Sequence, residues 1–238
     1  MYIKYKTKTI DTLEFPYLTC AIAVLAAYIA GSLPFGFWIS KCLGVDIRNQ
    51  GSGNIGATNV LRTLGRKVGI TVLILDISKG FLPVLIGSRI IFKQLPDSMR
   101  NREDIVGTIY VLLAIGTILG HNYTFWLGFK GGKGIATSAG AIMSFLPEVL
   151  MGSTLVWILI FFLSRYVAIA SIAAAFSIPI LIASLDHNYL FPDLNSSWPV
   201  ISFGIIAAIM AVWRHRSNIQ RLIKGEEDRF ERKVKSKA

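Results

Sequence analysis

The chain has 238 residues, of which 53% are hydrophobic and only 16% are charged. A soluble domain normally carries about a quarter charged residues, and here the apolar residues form long runs between short polar clusters, so the composition argues against a soluble protein and indicates a polytopic membrane protein. The net charge of +11 does not imply nucleic acid as a partner, because positive loops on one membrane face and anionic membrane lipid account for it.

Seven apolar segments follow one another along the chain, and a full membrane span needs about 20 residues. They comprise residues 17–39, 69–92, 105–120, 135–146, 149–163, 167–185 and 200–213. The fourth segment is short, and only Pro147 and Glu148 separate it from the fifth. Two interpretations follow: seven spans, or six spans in which the fourth and fifth segments form one helix.

The distribution of basic residues decides between these interpretations. Seven spans place seventeen lysines and arginines on one face and six on the other, whereas six spans move the nine from Arg214 onward and reverse the bias. Because cytoplasmic loops carry the excess of basic residues, the sequence predicts an all-α integral membrane protein with a bundle of seven transmembrane helices. The N-terminus is expected outside and the C-terminus in the cytoplasm. Residues 1–238 form one predicted domain, with a polar tail at 1–16, a membrane core at 17–213 and a basic cytoplasmic tail at 214–238.

A polar, glycine-rich loop follows the first segment on the predicted cytoplasmic face. Its Gly51, Gly53 and Gly56 match the pattern G-x-G-x-x-G, but no apolar strand precedes them, so a dinucleotide-binding fold is not indicated. Hydrogen-bonding side chains are dense in the same stretch, at Ser52, Asn54, Thr58, Asn59 and Arg62. A flexible connector would explain the glycines alone, whereas the density of polar side chains favours a site for an anion or another polar substrate.

A second glycine-rich loop runs from Phe129 to Thr137. It contains Gly131, Gly132 and Gly134 together with Lys130 and Lys133. A helix starting near Ile135 would direct its positive end at this loop. Surface anchoring explains the lysines but not the glycines. The pattern predicts a phosphate site in which backbone N–H groups surround the anion and Lys133 supplies a point charge. A nucleotide-binding P-loop is not indicated, because the glycine required five residues before Gly132 is missing.

The two loops end alike, in Gly56-Ala-Thr58 and Gly134-Ile-Ala-Thr137. Two such loops on one membrane face predict either two phosphorylated ligands or one phosphate that is held from two sides.

The third polar cluster follows Trp213. If the last helix continues past this residue, Arg214, Asn218 and Arg221 share one helix face, with His215 beside Asn218. From Arg229 onward the simpler interpretation is a basic segment attracted to anionic lipid, whereas Arg221 is predicted to bind a substrate phosphate. For His215 and Asn218 we favour a role in the site.

Two further observations concern buried charges and metals. Asp76 and Lys79 interrupt the second apolar segment at helical spacing, which predicts an ion pair inside the protein. The three histidines, at positions 121, 187 and 215, have no second ligand at metal spacing, so neither a metal nor another cofactor is expected.

Together, these motifs resemble those of the bacterial acyl-phosphate:glycerol-3-phosphate acyltransferase family (PlsY). The resemblance covers nearly the whole membrane portion in order, and only the first sixteen residues or so and the loop at 186–199 are longer than the family pattern requires. The matching stretches are Gly31-Ser-Leu-Pro-Phe-Gly36, the Gly-Ser-Gly-Asn loop, Asp76-Ile-Ser-Lys-Gly80, Gly120-His, Phe129–Thr137 and Arg214-His-Arg-x-Asn-Ile-x-Arg221.

The resemblance implies transfer of a fatty acyl group from acyl phosphate to glycerol 3-phosphate, which yields lysophosphatidate and phosphate at the start of phospholipid synthesis. It also implies a seven-helix protein of the bacterial inner membrane, motif loops in the cytoplasm and a functional link to the enzyme that makes acyl phosphate. By matching positions, Lys133 and its neighbouring glycines hold a substrate phosphate. The residues placed around the reacting groups are Ser52, Arg62, His121, His215 and Asn218.

The expected mechanism is direct attack by the glycerol 1-hydroxyl on the acyl carbonyl, with a substrate phosphate oxygen or His121 as the base. Because phosphate is already a good leaving group, no covalent acyl-enzyme is expected. A transporter of a phosphorylated metabolite is the alternative from another class, and an acyl-CoA-dependent transferase differs only in the acyl donor.

Overall fold

We describe residues 15–184 and 197–230 of a computed structural model. Residues 1–14 of the predicted N-terminal tail, 185–196 of the predicted outer loop and 231–238 of the basic tail lie outside the described residues. Every regular element in the described ranges is helical. The helices are α1 (Tyr17–Gly31), α2 (Phe35–Cys42), α3 (Ala57–Leu64), α4 (Arg66–Gln94), α5 (Asp97–Arg100), α6 (Glu103–Asn122), α7 (Ile135–Met143), α8 (Pro147–Ser164), α9 (Val167–Ser184), α10 (Trp198–Arg214) and α11 (Arg216–Ile223), with short 3₁₀ helices at Ile47–Asn49 and Phe125–Leu127.

Each of the seven predicted apolar segments coincides with at least one helix. Within the described ranges, five stretches are long and apolar enough to cross a membrane, and a sixth is added if α10 and α11 count as one broken span. The first of these stretches is Tyr17–Cys42, in which α1 and α2 are separated around Pro34. Helix α7 has nine residues and extends about 14 Å, roughly half of the hydrocarbon thickness. The described helices therefore establish five or six candidate spans.

Helices α7 and α8 are separate, so the alternative in which the fourth and fifth segments form one helix is wrong. Helix α7 ends at Met143, and Leu146 has φ −138° and ψ 58°, outside the helical region. Pro147 then occupies the first turn of α8. A proline ring disfavours helical geometry in the preceding residue and contributes no N–H, which explains why the helix cannot run through this point.

Glycines allow the helices around the glycine-rich loops to pack in direct backbone contact. A Cβ at Gly31 would lie 2.2 Å from a backbone oxygen of α6, and a Cβ at Gly120 the same distance from one of α1. The corresponding distances between α4 and α7 are 2.1 Å at Gly80 and 2.0 Å at Gly140. Because helices in lipid associate mainly through close packing, these contacts hold the ends of α6 and α7 against the rest of the bundle.

The predicted ion pair within α4 is present and buried. The Nζ atom of Lys79 lies 2.9 Å from a carboxylate oxygen of Asp76, and both side chains are 3% exposed. The same ammonium group donates a hydrogen bond of 2.7 Å to the carbonyl of Leu33 and lies 5.6 Å from the ring centroid of Phe35. The pair therefore connects α4 to the junction between α1 and α2.

Candidate functional site

The predicted motif loops converge on one cavity of about 590 Å³. One end of it is polar, and the remainder is lined by apolar side chains of the later helices. Among the residues that the sequence predicted for the site, those that line the cavity are Ser52, Asn54, Thr58, Asn59, Arg62, His121, Lys133, Gly134, His215 and Asn218. The other predicted residues are not among those that line it: Gly51, Gly53, Lys130, Gly131, Gly132, Thr137 and Arg221.

Asn59 organises the first glycine-rich loop. Its amide nitrogen donates to the backbone carbonyls of Ile47, Gln50 and Asn54, at 3.3, 2.9 and 2.9 Å. Its amide oxygen accepts the N–H of Ser52 at 3.0 Å. Asn59 therefore shapes the segment that presents Ser52, and its contact with a substrate stays a prediction.

The glycines of this loop serve its tight geometry. Gly51 and Gly53 have φ of +53° and +69°, a region that L side chains rarely adopt, and a Cβ at Gly51 would lie 2.4 Å from the amide oxygen of Asn59. The side chain of Asn54 accepts the N–H of Gly56 at 3.1 Å and closes the turn into α3. Gly51 and Gly53 are not among the residues that line the cavity, so the structure gives them a conformational role in place of the predicted contact with a ligand.

Gly131 and Gly132 lie against the end of α6. Their N–H groups donate to the carbonyls of Asn122 and His121, each at 3.1 Å. A Cβ would lie 2.0 Å from the carbonyl oxygen of His121 at position 131, and 2.1 Å from its Nε2 at position 132. The guanidinium of Arg214 donates to the carbonyls of both glycines. The prediction that these two N–H groups hold a phosphate is therefore wrong, because they fix the loop to the bundle.

The helix that begins after this loop does direct its first turn at the cavity. Helix α7 starts at Ile135, as predicted, and Gly134 precedes it with φ +82° and without a side-chain cap. Helix α3 likewise starts after Gly56 without a side-chain cap. Gly56, Gly134 and the first residues of both helices line the cavity. Two helix N-termini, whose first N–H groups have no hydrogen-bond partner within residues 15–184 and 197–230, therefore face the same space with positive partial charge, which suits anionic ligands.

Lys133 is the central cation of the polar end. Its Nζ donates a short hydrogen bond to the amide oxygen of Asn218 on α11. Burial lowers the pKa of Lys133 to about 8, the charge of Glu227 opposes this shift, and Arg221, Arg62 and Arg214 add to it. Near neutral pH the ammonium group remains mostly charged and is only partly in contact with water.

The segment after Trp213 does not continue as one straight helix, which corrects the expectation for its polar face. Helices α10 and α11 meet at 54°, with His215 between them at φ −97° and ψ 7°. The Nδ1 of His215 donates to the carbonyl of Ala211 at 2.8 Å, so this ring nitrogen carries the proton and Nε2 is left as an acceptor. The bend directs Arg214 to the glycine–lysine loop and Asn218 to Lys133.

Glu227 also lines the cavity, although the sequence pattern did not predict it. Its carboxylate accepts hydrogen bonds from the amide nitrogen of Asn218 at 2.6 Å and from Nε of Arg221 at 2.8 Å. Arg221, expected at the substrate, is therefore paired within the protein. The available signal was the acidic run at 226–228 directly after a basic helix, but only the folded chain shows that this run returns to the loops.

Arg62 faces the same C-terminal segment. Its guanidinium donates to the carbonyl of Asp228 at 3.0 Å, lies 3.4 Å from the carboxylate of this residue and stacks 4.6 Å from the ring centroid of Phe230.

Two other predicted residues are excluded from the cavity. Lys130 is exposed on the loop surface, and Thr137 is buried where α7 packs against α4.

The rest of the cavity extends between α8, α9 and α10. Its lining there is mostly apolar and includes Trp157, Phe161, Ile178 and Met210, with Ser153, Thr154 and Ser171 as polar side chains. A ligand that fills the whole space must therefore carry an anionic group at one end and a hydrocarbon at the other.

Comparison with known proteins gives a consistent result. The family model described as glycerol-3-phosphate acyltransferase matches residues 21–225. The chain is 43% identical to a glycerol-3-phosphate acyltransferase of Desulforamulus reducens, over 89% of this chain and 95% of the relative. It is 40% identical to the one of Aquifex aeolicus, over 87% and 97%.

Two solved structures are similar over the same extent. Both are crystal structures of PlsY, an integral membrane glycerol 3-phosphate acyltransferase, in a glycerol 3-phosphate form and a lysophosphatidic acid form. The TM-scores are 0.75 and 0.72, at 38% and 37% identity. Each match covers 90% of this chain and 96% of the other.

The hydrogen bonds of Asn59 generate a prediction about stability. Replacing Asn59 with Ala leaves three carbonyls and one N–H of the first loop without their partner, so we expect the free energy of unfolding to fall by about 2 kcal/mol or more. The measurement is unfolding of the purified protein in detergent by titration with denaturing surfactant. Asn49→Ala is the control, because Asn49 is exposed and makes only backbone hydrogen bonds. Equal stability of the two variants would contradict the role of Asn59.

Proposed function

The chain belongs to the glycerol-3-phosphate acyltransferase family, and we propose that it transfers a fatty acyl group from acyl phosphate to the 1-hydroxyl of glycerol 3-phosphate. The products are lysophosphatidate and inorganic phosphate. It is an integral membrane acyltransferase with an all-helical fold. We further propose that the reaction is the first acylation of phospholipid synthesis, and that the acyl phosphate comes from an enzyme that activates fatty acyl groups with phosphate.

The observation that supports this proposal most strongly is the meeting of two different environments in one cavity. Lys133, Arg62 and the first turns of α3 and α7 lie at the polar end, where they suit phosphate groups. The apolar cleft between α8, α9 and α10 suits an acyl chain. Glycerol 3-phosphate needs only the first environment, and acyl phosphate needs both.

The proposed chemistry is a single displacement. The glycerol 1-hydroxyl attacks the carbonyl carbon of acyl phosphate, a new ester C–O bond forms, and the bond between this carbon and the phosphate oxygen breaks. The phosphate leaves with the electron pair of that bond, and the hydroxyl proton passes to a phosphate oxygen. Lys133 and the positive ends of the two helices stabilise the charge on the phosphates and hold the two substrates together, which supplies proximity and electrostatic stabilisation.

The geometry of His121 favours a substrate phosphate oxygen over this histidine as the base. Its Nε2 lies beside Gly132 at the cavity wall, and its Nδ1 is buried 3.8 Å from a carboxylate oxygen of Asp76. The side chain is 4% exposed. His121 then acts by supporting the glycine–lysine loop, and no protein base is required.

Ser52 acts in this proposal as a hydrogen-bonding group and not as a nucleophile. In residues 15–184 and 197–230 no histidine is hydrogen-bonded to its hydroxyl, whereas an activated serine needs an adjacent base. Detection of an acyl group on Ser52 during turnover would overturn this part of the mechanism.

The donor assay tests the function directly. Purified protein in detergent receives labelled glycerol 3-phosphate together with either acyl phosphate or acyl-CoA. We expect labelled lysophosphatidate with acyl phosphate only, because the polar end suits a phosphate leaving group. Product formed with acyl-CoA would contradict the proposal that acyl phosphate is the specific acyl donor. No product with either donor would favour transport of a phosphorylated metabolite.

We propose seven crossings of the bacterial inner membrane in a single domain, with the N-terminus outside and the motif loops and C-terminus in the cytoplasm. The excess of basic residues on the loop side supports this orientation. The exposed Cys42, at the end of α2, provides the test. A membrane-impermeant maleimide should label it in inside-out vesicles and not in intact spheroplasts. A Cys42→Ser variant shows how much of the labelling comes from Cys20. Labelling of Cys42 in intact spheroplasts would show that the topology is the reverse of the proposed one.

Deprotonation of Lys133 should determine how kcat/KM falls at alkaline pH. The charged ammonium binds phosphate, so kcat/KM for glycerol 3-phosphate should fall as the pH rises through its pKa of about 8. Lys133→Arg should lack this fall, because a guanidinium stays charged throughout the range. Lys133→Ala should lose about a hundredfold in kcat/KM at neutral pH.

Lys130→Ala is the matched control, because Lys130 is exposed on the same loop outside the cavity. Its pH profile should equal that of the wild type. A Lys133→Ala variant with full activity in membranes would refute the assignment of a phosphate to this loop.

A further inference from the structure

The chain beyond α11 folds back over the polar end of the cavity. We call residues 224–230 the C-terminal strap. Its last described residue, Phe230, donates its N–H to the carbonyl of Arg165 at 3.0 Å and packs edge-on against Phe161, with ring centroids 5.6 Å apart. Asp228 contacts Arg62 at the opposite wall. The strap is therefore attached to α3 and to the α8–α9 junction, and it brings Glu227 between them.

Glu227 is the most enclosed carboxylate of this strap. Its side chain is 5% exposed, whereas that of Asp228 is 63% exposed. One carboxylate oxygen accepts from the amide nitrogen of Asn218 and the other from Nε of Arg221. A buried carboxylate that is fully paired in this way is held in one position, in contrast to the solvated contact of Asp228.

The contact with Glu227 determines the orientation of the Asn218 amide. A carboxylate only accepts hydrogen bonds, so the NH₂ group of Asn218 must face Glu227 and its oxygen must face away. This oxygen accepts the hydrogen bond from the ammonium of Lys133. The reversed amide would direct oxygen at a carboxylate and nitrogen at an ammonium group, two repulsive contacts. The position of the Lys133 ammonium therefore depends on Glu227.

Glu227 is also the charge that offsets the cations around Lys133. Arg62 on α3, Arg214 at the end of α10 and Arg221 on α11 all disfavour the charged form of Lys133, and His215 lies nearby. Glu227 is the acidic group that favours it. The carboxylate thus supports both the position and the protonation of this lysine.

We propose that Glu227 is a positioning residue of the acyl transfer reaction, which acts through Asn218 to hold the Lys133 ammonium towards the substrate phosphate. The proposal rests on the function proposed above. It gives Glu227, which lines the cavity, a role in the reaction in addition to the structural attachment of the C-terminal strap. A strap that only stabilised the fold would have no means of changing how the reaction responds to pH.

The test compares Glu227→Gln with Glu226→Gln, which removes the same charge one residue away. Glu226 is exposed, and its side chain contacts no other described residue through a hydrogen bond or ion pair. We expect Glu227→Gln to lower kcat/KM for glycerol 3-phosphate on the order of tenfold to a hundredfold, because small displacements of a binding group cost this much. The decrease in kcat/KM at alkaline pH should occur at a lower pH in this variant than in the wild type. Glu226→Gln should match the wild type in both quantities.

An unchanged rate and pH profile in Glu227→Gln would overturn the proposal. Glu227→Asp provides a second test that retains the charge: its shorter side chain cannot reach both Asn218 and Arg221, so kcat/KM should fall several-fold while the alkaline fall stays at the wild-type pH. Full activity of Glu227→Asp would equally overturn it. The melting temperature of each variant in detergent shows whether it is folded.

The wild-type protein distinguishes a failure of this inference from a failure of the proposed function. If wild type forms no lysophosphatidate from acyl phosphate, the proposed function fails. If wild type is active and the Glu227 variants behave like it, only the role of Glu227 fails.

Discussion

The ammonium group of Lys133, withdrawn from water at the end of a membrane helix bundle, is the constraint on which the polar site depends. A buried cation is costly unless it is hydrogen-bonded and compensated by negative charge. The hydrogen bond to Asn218 and the charge of Glu227 meet this requirement, and each comes from a part of the chain far from the glycine–lysine loop. Three separate segments must therefore fold together before the site exists.

The neighbouring structure keeps this cation beside an apolar cleft. Direct backbone contact at Gly80 and Gly140 joins α7 to α4, and the buried pair of Asp76 and Lys79 joins α4 to the first helices. The start of α7 is thereby fixed at the polar end, while α8, α9 and α10 enclose the apolar end. One cavity can then hold a phosphate that is bound to a hydrocarbon chain, which neither environment could bind alone.

The sequence predicted the features that depend on local pattern. Apolar runs located the helices, the glycine before Ile135 located the start of α7, and the spacing of Asp76 and Lys79 predicted their ion pair. The family resemblance placed five residues around the reacting groups, and these five line one cavity together with Lys133. The number of crossings is harder to predict, because α7 has only nine residues, fewer than a typical span, and α10 is bent from α11.

Features that depend on distant contacts were predicted wrongly or missed. Glycines beside a lysine suggest backbone N–H groups that are free to bind phosphate. Glycine is required at positions 131 and 132 for another reason, because His121 packs where a Cβ would lie. The bend at His215 depends on tertiary packing that helical periodicity does not report. Glu227 was missed because its partners, Asn218 and Arg221, become apparent only when the chain reverses after α11.

The central claim is that both substrates occupy this cavity together and react without a covalent intermediate. Initial rates with acyl phosphate and glycerol 3-phosphate varied against each other test it most directly. We expect double-reciprocal lines that intersect, because no product leaves before both substrates are bound. Parallel lines, the pattern of an acyl-enzyme that releases phosphate before glycerol 3-phosphate binds, would contradict it.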